Sequence, residues 1–145
     1  MLVLDAFAVI AAFAGELAGE DVEAQLRQLG AEPRISAVST AEVVDYLVRV
    51  AGFAEQAVDA SLELLAAGGL VVIPADEQIG RLAGTLRARH YRARGSAVSL
   101  ADCIALATTL NLGGSLATAD PALATIARKE GVPIVALPDS QGHRP

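Results

Sequence analysis

Leu2-Val3-Leu4-Asp5-Ala6 opens the chain with three apolar residues, an acid and the first residue of a helical pattern. An apolar run without polar alternation reads as a strand buried on both faces, which points to a parallel sheet covered by helices. The pattern returns downstream. Arg34 to Val38 reads as a second strand, Leu70-Val71-Val72-Ile73 closed by Pro74 as a buried third, Ser115 to Thr118 as a fourth and Pro133 to Leu137 as a fifth. Helical spacing fills the intervals: from Ala6, from about Asp21 to Leu29 before Gly30, and from Ser39 with apolar positions at Val43, Val44, Leu47 and Val50. After Gly52 it resumes from Ala54 to Ala66, then from Glu77 to Arg92, Ser99 to Leu110 and Pro121 to Lys129, with Gly68-Gly69, Gly95-Ser96 and Gly113-Gly114 as breaks. Strands alternating with helices specify an α/β fold, a three-layer α/β/α domain with a mainly parallel sheet of about five strands. It spans residues 1–137, and 138–145 form a polar tail. No repeat, low-complexity tract or linker divides it.

Composition narrows the class. The 145 residues are 53 % hydrophobic, enough for one core, but only 3 % aromatic with no Trp. Base stacking is therefore not a main binding device. The lone cysteine, Cys103, fits a reducing compartment and beside an acid reads as a small buried residue. The apolar stretch Ala6 to Ala14 is too short to span a membrane, so a cytoplasmic protein is expected. The net charge of −6 speaks against nucleic acid as a partner. Its distribution speaks differently: of 11 Lys and Arg residues, Arg81, Arg87, Arg89, Arg92 and Arg94 crowd one short stretch, which can guide a phosphate backbone.

Four acids stand at or just after predicted strand ends: Asp5, Glu42, Asp102 and Asp120. Each has a bland explanation. Asp5 can cap the helix from Ala6, Ser39-Thr40-Ala41-Glu42 matches a capping box, Ser99-Leu100-Ala101-Asp102 has a similar form, and Asp120 precedes a helix-opening Pro121. Parallel topology, however, brings strand ends to one rim, where ligands bind at the switch in strand order. Carboxylates converging there repel each other and raise each other's pKa. Capping requires no such crowding, and a divalent cation relieves it. With only His90 and His143 and no zinc-type spacing, an all-oxygen set favours Mg²⁺ or Mn²⁺, ions suited to phosphoryl chemistry.

Val3-Leu4-Asp5-Ala6, Ser39-Thr40-Ala41-Glu42-Val43, Ser99-Leu100-Ala101-Asp102-Cys103-Ile104-Ala105-Leu106-Ala107 and Thr118-Ala119-Asp120-Pro121-Ala122-Leu123 resemble, in order and spacing, the four acidic motifs of PIN domains. The third is the most specific, and the resemblance runs from residue 2 to about 137. The short length is similar to VapC toxins of toxin–antitoxin pairs. That resemblance implies a Mg²⁺- or Mn²⁺-dependent endoribonuclease that cleaves a structured RNA, tRNA or ribosomal RNA, through metal-activated water. It also implies a homodimer blocked by a small VapB-type antitoxin. Asp5, Glu42 and Asp102 would hold the metal, Asp120 would complete the site and Thr118 would support it. Many relatives carry a small hydroxyl residue two positions after the first acid; here that position is Phe7.

Arg87, Arg89, Arg92 and Arg94 are candidates for RNA phosphate contacts, against the competing role of a solvated helix end. Tyr91 reads as half-buried packing, His90 has no recognisable partner, and Asp45 and Asp76 read as surface acids or a fifth ligand. The faces around Val43, Leu47, Val58 and Leu62 serve either the core or a partner. Two rival functions stand beside the ribonuclease: a DNA-directed metal-dependent nuclease, and a catalytically weak RNA- or protein-binding module in which the acids are caps.

Overall fold

In the computed structural model, which describes residues 1–14, 20, 24, 30, 32–92 and 97–145, five parallel strands form one sheet in the order β3-β2-β1-β4-β5. The strands are β1 (Leu2–Leu4), β2 (Pro33–Ser36), β3 (Val71–Ile73), β4 (Ser115–Thr118) and β5 (Ile134–Ala136). The helices are α1 (Ala6–Ala14), α2 (Ala37–Asp45), α3 (Glu55–Ala67), α4 (Glu77–His90), α5 (Leu100–Leu112) and α6 (Pro121–Lys129). The helix expected from Asp21 to Leu29 falls largely outside the described residues. No helix among the described residues is long and apolar enough to cross a membrane.

Side-chain alternation along the central strands builds the three layers. Leu2 and Leu4 of β1 pack with Ala8, Val9, Ile35, Val43, Leu47, Val58 and Ala117, while Val3 packs on the other face with Ile79, Leu86, Leu106, Leu116, Leu123 and Ile126. Val43, Leu47 and Val58 thus belong to the core, and Leu62 packs against it. On the second face α4 and α5 run antiparallel. Gln78 at the start of α4 donates to Asn111 near the end of α5 at 3.3 Å, and Tyr91, just past α4, shares a cleft with Leu100 at the start of α5.

The chain builds outward from β1 to β2 and β3, then crosses back to place β4 against the other side of β1. The switch in strand order therefore lies between β1 and β4, with the ligand-binding rim at their carboxyl ends. At the opposite end, Ser115 N–H donates to Met1 C=O at 3.1 Å, and Gly114 is required there: a Cβ would lie 2.8 Å from that carbonyl oxygen.

Two expectations need correction. β2 stops at Ser36, and the next helix begins at Ala37 rather than Ser39, because the Ser36 hydroxyl accepts the Ser39 N–H at 2.9 Å and caps the helix. The third strand is not buried: β3 is an edge, so Val71 and Val72 stay exposed.

Candidate active site

Asp5 follows β1 directly and is 6 % exposed. Its Oδ1 accepts the Ala8 N–H at 2.8 Å, capping α1. Asp120 follows β4 and caps α6 in the same way, Oδ1 accepting the Leu123 N–H at 2.7 Å with Pro121 in the first turn. Asp102 completes a capping box on α5: its Oδ2 accepts the Ser99 N–H at 2.8 Å, and the Ser99 hydroxyl accepts the Asp102 N–H at 3.0 Å. The expected caps at these three positions all exist. Glu42 differs. With α2 starting at Ala37, it stands in the second turn rather than in a capping box, and no hydrogen bond reaches its carboxylate from the described residues.

All four acids line one open cleft of about 340 Å³, walled by Phe7, Ile10 and Ala105 and joined by Ser39, Asp45 and Tyr46. Their charges act on each other. Burial pushes Asp5 up to about 7, against hydrogen bonding from the Thr118 hydroxyl and the Ala8 N–H, and the charges of Asp102 and Asp120 raise it further. Burial also raises Glu42, again with a contribution from Asp102. Among the described residues none of the four pairs with an arginine or lysine. Asp102, facing both Asp5 and Glu42, is the hub of an uncompensated negative cluster.

Thr118 ties two of the acids together. Fully buried, its hydroxyl accepts the Asp120 N–H at 3.0 Å while acting on Asp5. Cys103, next to Asp102, is buried, and burial together with the Asp102 charge pushes its thiol up to about 11, despite the opposing effect of Arg87. A thiol held so far from ionisation is no nucleophile at neutral pH.

The donor set is hard oxygen throughout, as Mg²⁺ and Mn²⁺ prefer. Each capping aspartate spends one named oxygen on its helix, and Glu42 spends none. Among the described residues no three His, Cys, Asp or Glu side chains are gathered closely enough to hold an ion together. The donor chemistry suits a divalent cation and the four acids share one cleft, without three of them being gathered into a ready-made cage.

Over residues 2–129 the sequence matches the family described as the PIN domain. The chain belongs to the PIN-domain family. Solved structures agree in fold. FitAcB from Neisseria gonorrhoeae shares 22 % identity at a TM-score of 0.62, with 92 % of this chain and 96 % of that chain covered. VapC20 from Mycobacterium tuberculosis, a sarcin–ricin loop cleaving toxin, shares 16 % at 0.66, covering 86 % of this chain and 94 % of that one. VapBC2 from Rickettsia felis, bound to a promoter DNA fragment, shares 14 % at 0.69, covering 92 % and 96 %. At such identities the likeness is one of fold. No curated protein matches the chain by sequence.

The remaining candidates of this PIN domain separate clearly. Asp45 lines the cleft but pairs with Arg49 at 2.6 Å, and hydrogen bonding from that arginine lowers its pKa. Asp76 is an exposed surface acid away from the cleft lining, and it caps α4 by accepting the Ile79 N–H at 2.9 Å. His90 has a partner after all: with Arg89 it binds Glu130, whose pKa is lowered first by the histidine hydrogen bond. Arg92 donates to the carbonyls of Tyr91 and Arg89, and Arg94 lies outside the described residues. Ser39 and Tyr46 were not foreseen at the cleft. Ser39 bonds Ser36 hydroxyl to hydroxyl at 2.8 Å. Tyr46 stands where α2 widens into a π-helical turn (Tyr46–Val50), a distortion frequent at functional sites.

Proposed function

We propose that this PIN domain is a divalent-metal-dependent endoribonuclease, the toxin of a toxin–antitoxin pair, acting on a structured RNA such as tRNA or ribosomal RNA. The observation that carries the reading is that Asp5, Glu42, Asp102 and Asp120 share one cleft, with Asp102 acting on both Asp5 and Glu42, and that none of the four pairs with an arginine or lysine among the described residues. A fold needs caps at α1, α5 and α6, but Asn or Ser would cap without repulsion. Keeping carboxylates at all these positions makes sense if a cation shares them. Asp5, Glu42 and Asp102 would hold the ion and Asp120 would complete the set. When bound, Mg²⁺ or Mn²⁺ would supply the Lewis acid that polarises a phosphodiester and lowers the pKa of a water.

The chain's own residues then have distinct tasks. Capping holds Asp5, Asp102 and Asp120 at fixed positions on the rim. Thr118 fixes the spacing of Asp5 and Asp120 by engaging both. Phe7 and Ile10 give the open cleft an apolar wall, which lowers the local dielectric beside the acids and strengthens the electrostatics there. Cleavage would leave a 5′-phosphate and a 3′-hydroxyl. Exposed apolar side chains at Tyr46, Val50, Phe53 and Leu64 offer surface for a second copy or a VapB-type antitoxin.

The test is RNA cleavage by the purified chain with Mn²⁺ and with EDTA, beside Asp5→Asn and a DNA substrate of the same sequence. The reading expects RNA cut only with metal, no cutting by the variant, and DNA left intact. A second reading, a binding module without chemistry, draws on the capping roles of three of the acids. It predicts no cleavage under any condition and unchanged RNA binding in Asp5→Asn.

A further inference from the structure

Arg87 sits partly buried on α4, and its Nε–H is fully buried without a hydrogen-bond partner among the described residues. Its guanidinium lies 4.5 Å from the ring centroid of Tyr91. The other arginines of the basic stretch are accounted for: Arg81 pairs with Glu77, Arg89 with Glu130, and Arg92 is spent on backbone carbonyls. Among the described residues of that stretch, Arg87 alone lacks an acidic or carbonyl partner. A partly desolvated guanidinium with an orphan donor is costly unless something supplies an anion.

What surrounds it narrows the ligand. Arg87 lines a cleft of about 330 Å³ with Gly84, Ala88, Tyr91 and Leu100, and no carboxylate among the described residues lines it. Tyr91 is 39 % exposed and Leu100 52 % exposed, so an aromatic ring and an aliphatic surface stand open beside the cation. Cation, aromatic face and apolar floor together suit a nucleotide: phosphate on the guanidinium, base against Tyr91 and Leu100. An acidic peptide would use the charge but not the platform. The cleft also lies on the flank of the proposed catalytic rim. Leu100 opens the helix whose first turn carries Asp102, and the charge of Arg87 reaches Cys103 next to it. One helix diameter, about 10 Å, separates the two sides of that turn, a gap that a few nucleotides of single strand bridge.

We infer that the Arg87–Tyr91–Leu100 cleft is a subsite for one unpaired nucleotide of the RNA substrate, adjacent to the bond that is cut. This inference rests on the ribonuclease reading of the acidic cleft, and its test separates the two. Binding of a fluorescently labelled single-stranded oligoribonucleotide is measured by anisotropy across a salt series, in the Asp5→Asn background so that no cleavage intervenes. Arg87→Gln is expected to weaken binding about tenfold and to reduce the slope of log affinity against log salt by about one, the signature of a lost phosphate contact. Tyr91→Ala is expected to weaken binding about tenfold with the slope unchanged, as for a lost stack, and Tyr91→Phe to bind normally. Melting temperatures of the variants exclude misfolding, and Arg87→Lys, which restores the charge, is expected to recover the slope. If the oligonucleotide does not bind, if Arg87→Gln changes neither affinity nor slope, or if only a labelled Glu-rich peptide depends on Arg87, the inference is overturned. If wild type cuts no RNA while Arg87→Gln still loses binding and slope, the subsite stands and the nuclease reading falls.

Discussion

Asp5→Asn should stabilise the metal-free protein at neutral and alkaline pH, although it removes a charged group from the proposed centre. Burial lifts the Asp5 carboxyl from its ordinary 3.8 to about 7. That gap corresponds to roughly 4 kcal/mol of preference for the protonated form in the folded state. Between about pH 4 and pH 7 the folded chain keeps a proton that the unfolded chain has released, so this group's contribution is complete below pH 4 and is lost as pH rises through 7. Asparagine cannot ionise, yet its amide oxygen can still accept the Ala8 N–H that Asp5 accepts at 2.8 Å. In EDTA the variant should match wild type near pH 4 and exceed it by up to roughly 4 kcal/mol by pH 8, on the order of 10 °C in melting temperature for a chain of this size. Urea unfolding followed by circular dichroism gives the difference at each pH, and an unchanged m-value shows that the unfolded state is the same. Millimolar Mn²⁺ should close the gap by stabilising wild type alone. Parallel stability–pH curves for the two proteins in EDTA would refute the argument, because the buried carboxyl would then not be carrying the proton.

Glu42 caps nothing, so Glu42→Gln should reduce RNA cleavage by about 100-fold or more while shifting stability by less than about 0.5 kcal/mol, read from initial rates and urea midpoints. Asp102→Asn should also abolish cleavage and should lower the pKa of both Asp5 and Glu42, moving the fall in metal-free stability to lower pH. Thr118→Val leaves the Asp120 N–H without its partner and should cost about 1–3 kcal/mol in urea unfolding, with the Asp5-linked fall displaced to higher pH. Ser36→Ala should cost about 1 kcal/mol as a lost cap. Should Ser39→Ala prove the more damaging in the same denaturation experiment, the placement of the α2 start would be wrong.

β1, β3 and β5 were legible as short apolar runs, while β2 and β4 show only a brief apolar centre between helical segments; Asp5, Asp102 and Asp120 were legible because each follows a strand or opens a helix, whereas Glu42 stands in the second turn of α2. The start of α2 was not legible, since Ser36-Ala37-Val38-Ser39 offers two serines with equal claim to the cap, both buried, and only the folded backbone brings the Ser39 N–H to the Ser36 hydroxyl. Leu70-Val71-Val72-Ile73 has a core-strand composition but ends on the sheet edge, a matter of topology rather than of local sequence. Glu130 and His90 lie 40 residues apart, so their contact has no local sequence signal. The same is true of Arg87: a cluster of arginines was visible, but which one lacks a partner is decided by where α6 ends and how Tyr91 turns back on α4.

The capping and catalytic readings of the acids are compatible, because three of the acids cap helices whose starts meet at one cleft. A helix that starts at the carboxyl edge of a parallel strand points its free N–H groups and its positive dipole end into the space above the switch point. α1 and α6 do so from β1 and β4, and α5 adds a third start beside them. Each N-cap aspartate is steadied by backbone donors, which offset part of the repulsion that would otherwise scatter the cluster. Asp5 stays raised to about 7, chiefly because it is buried, with smaller contributions from the charges of Asp102 and Asp120. Stability sacrificed in this way at neutral pH is what a bound cation would return. That exchange, rather than any single acid, distinguishes a metal site from a set of well-capped helices.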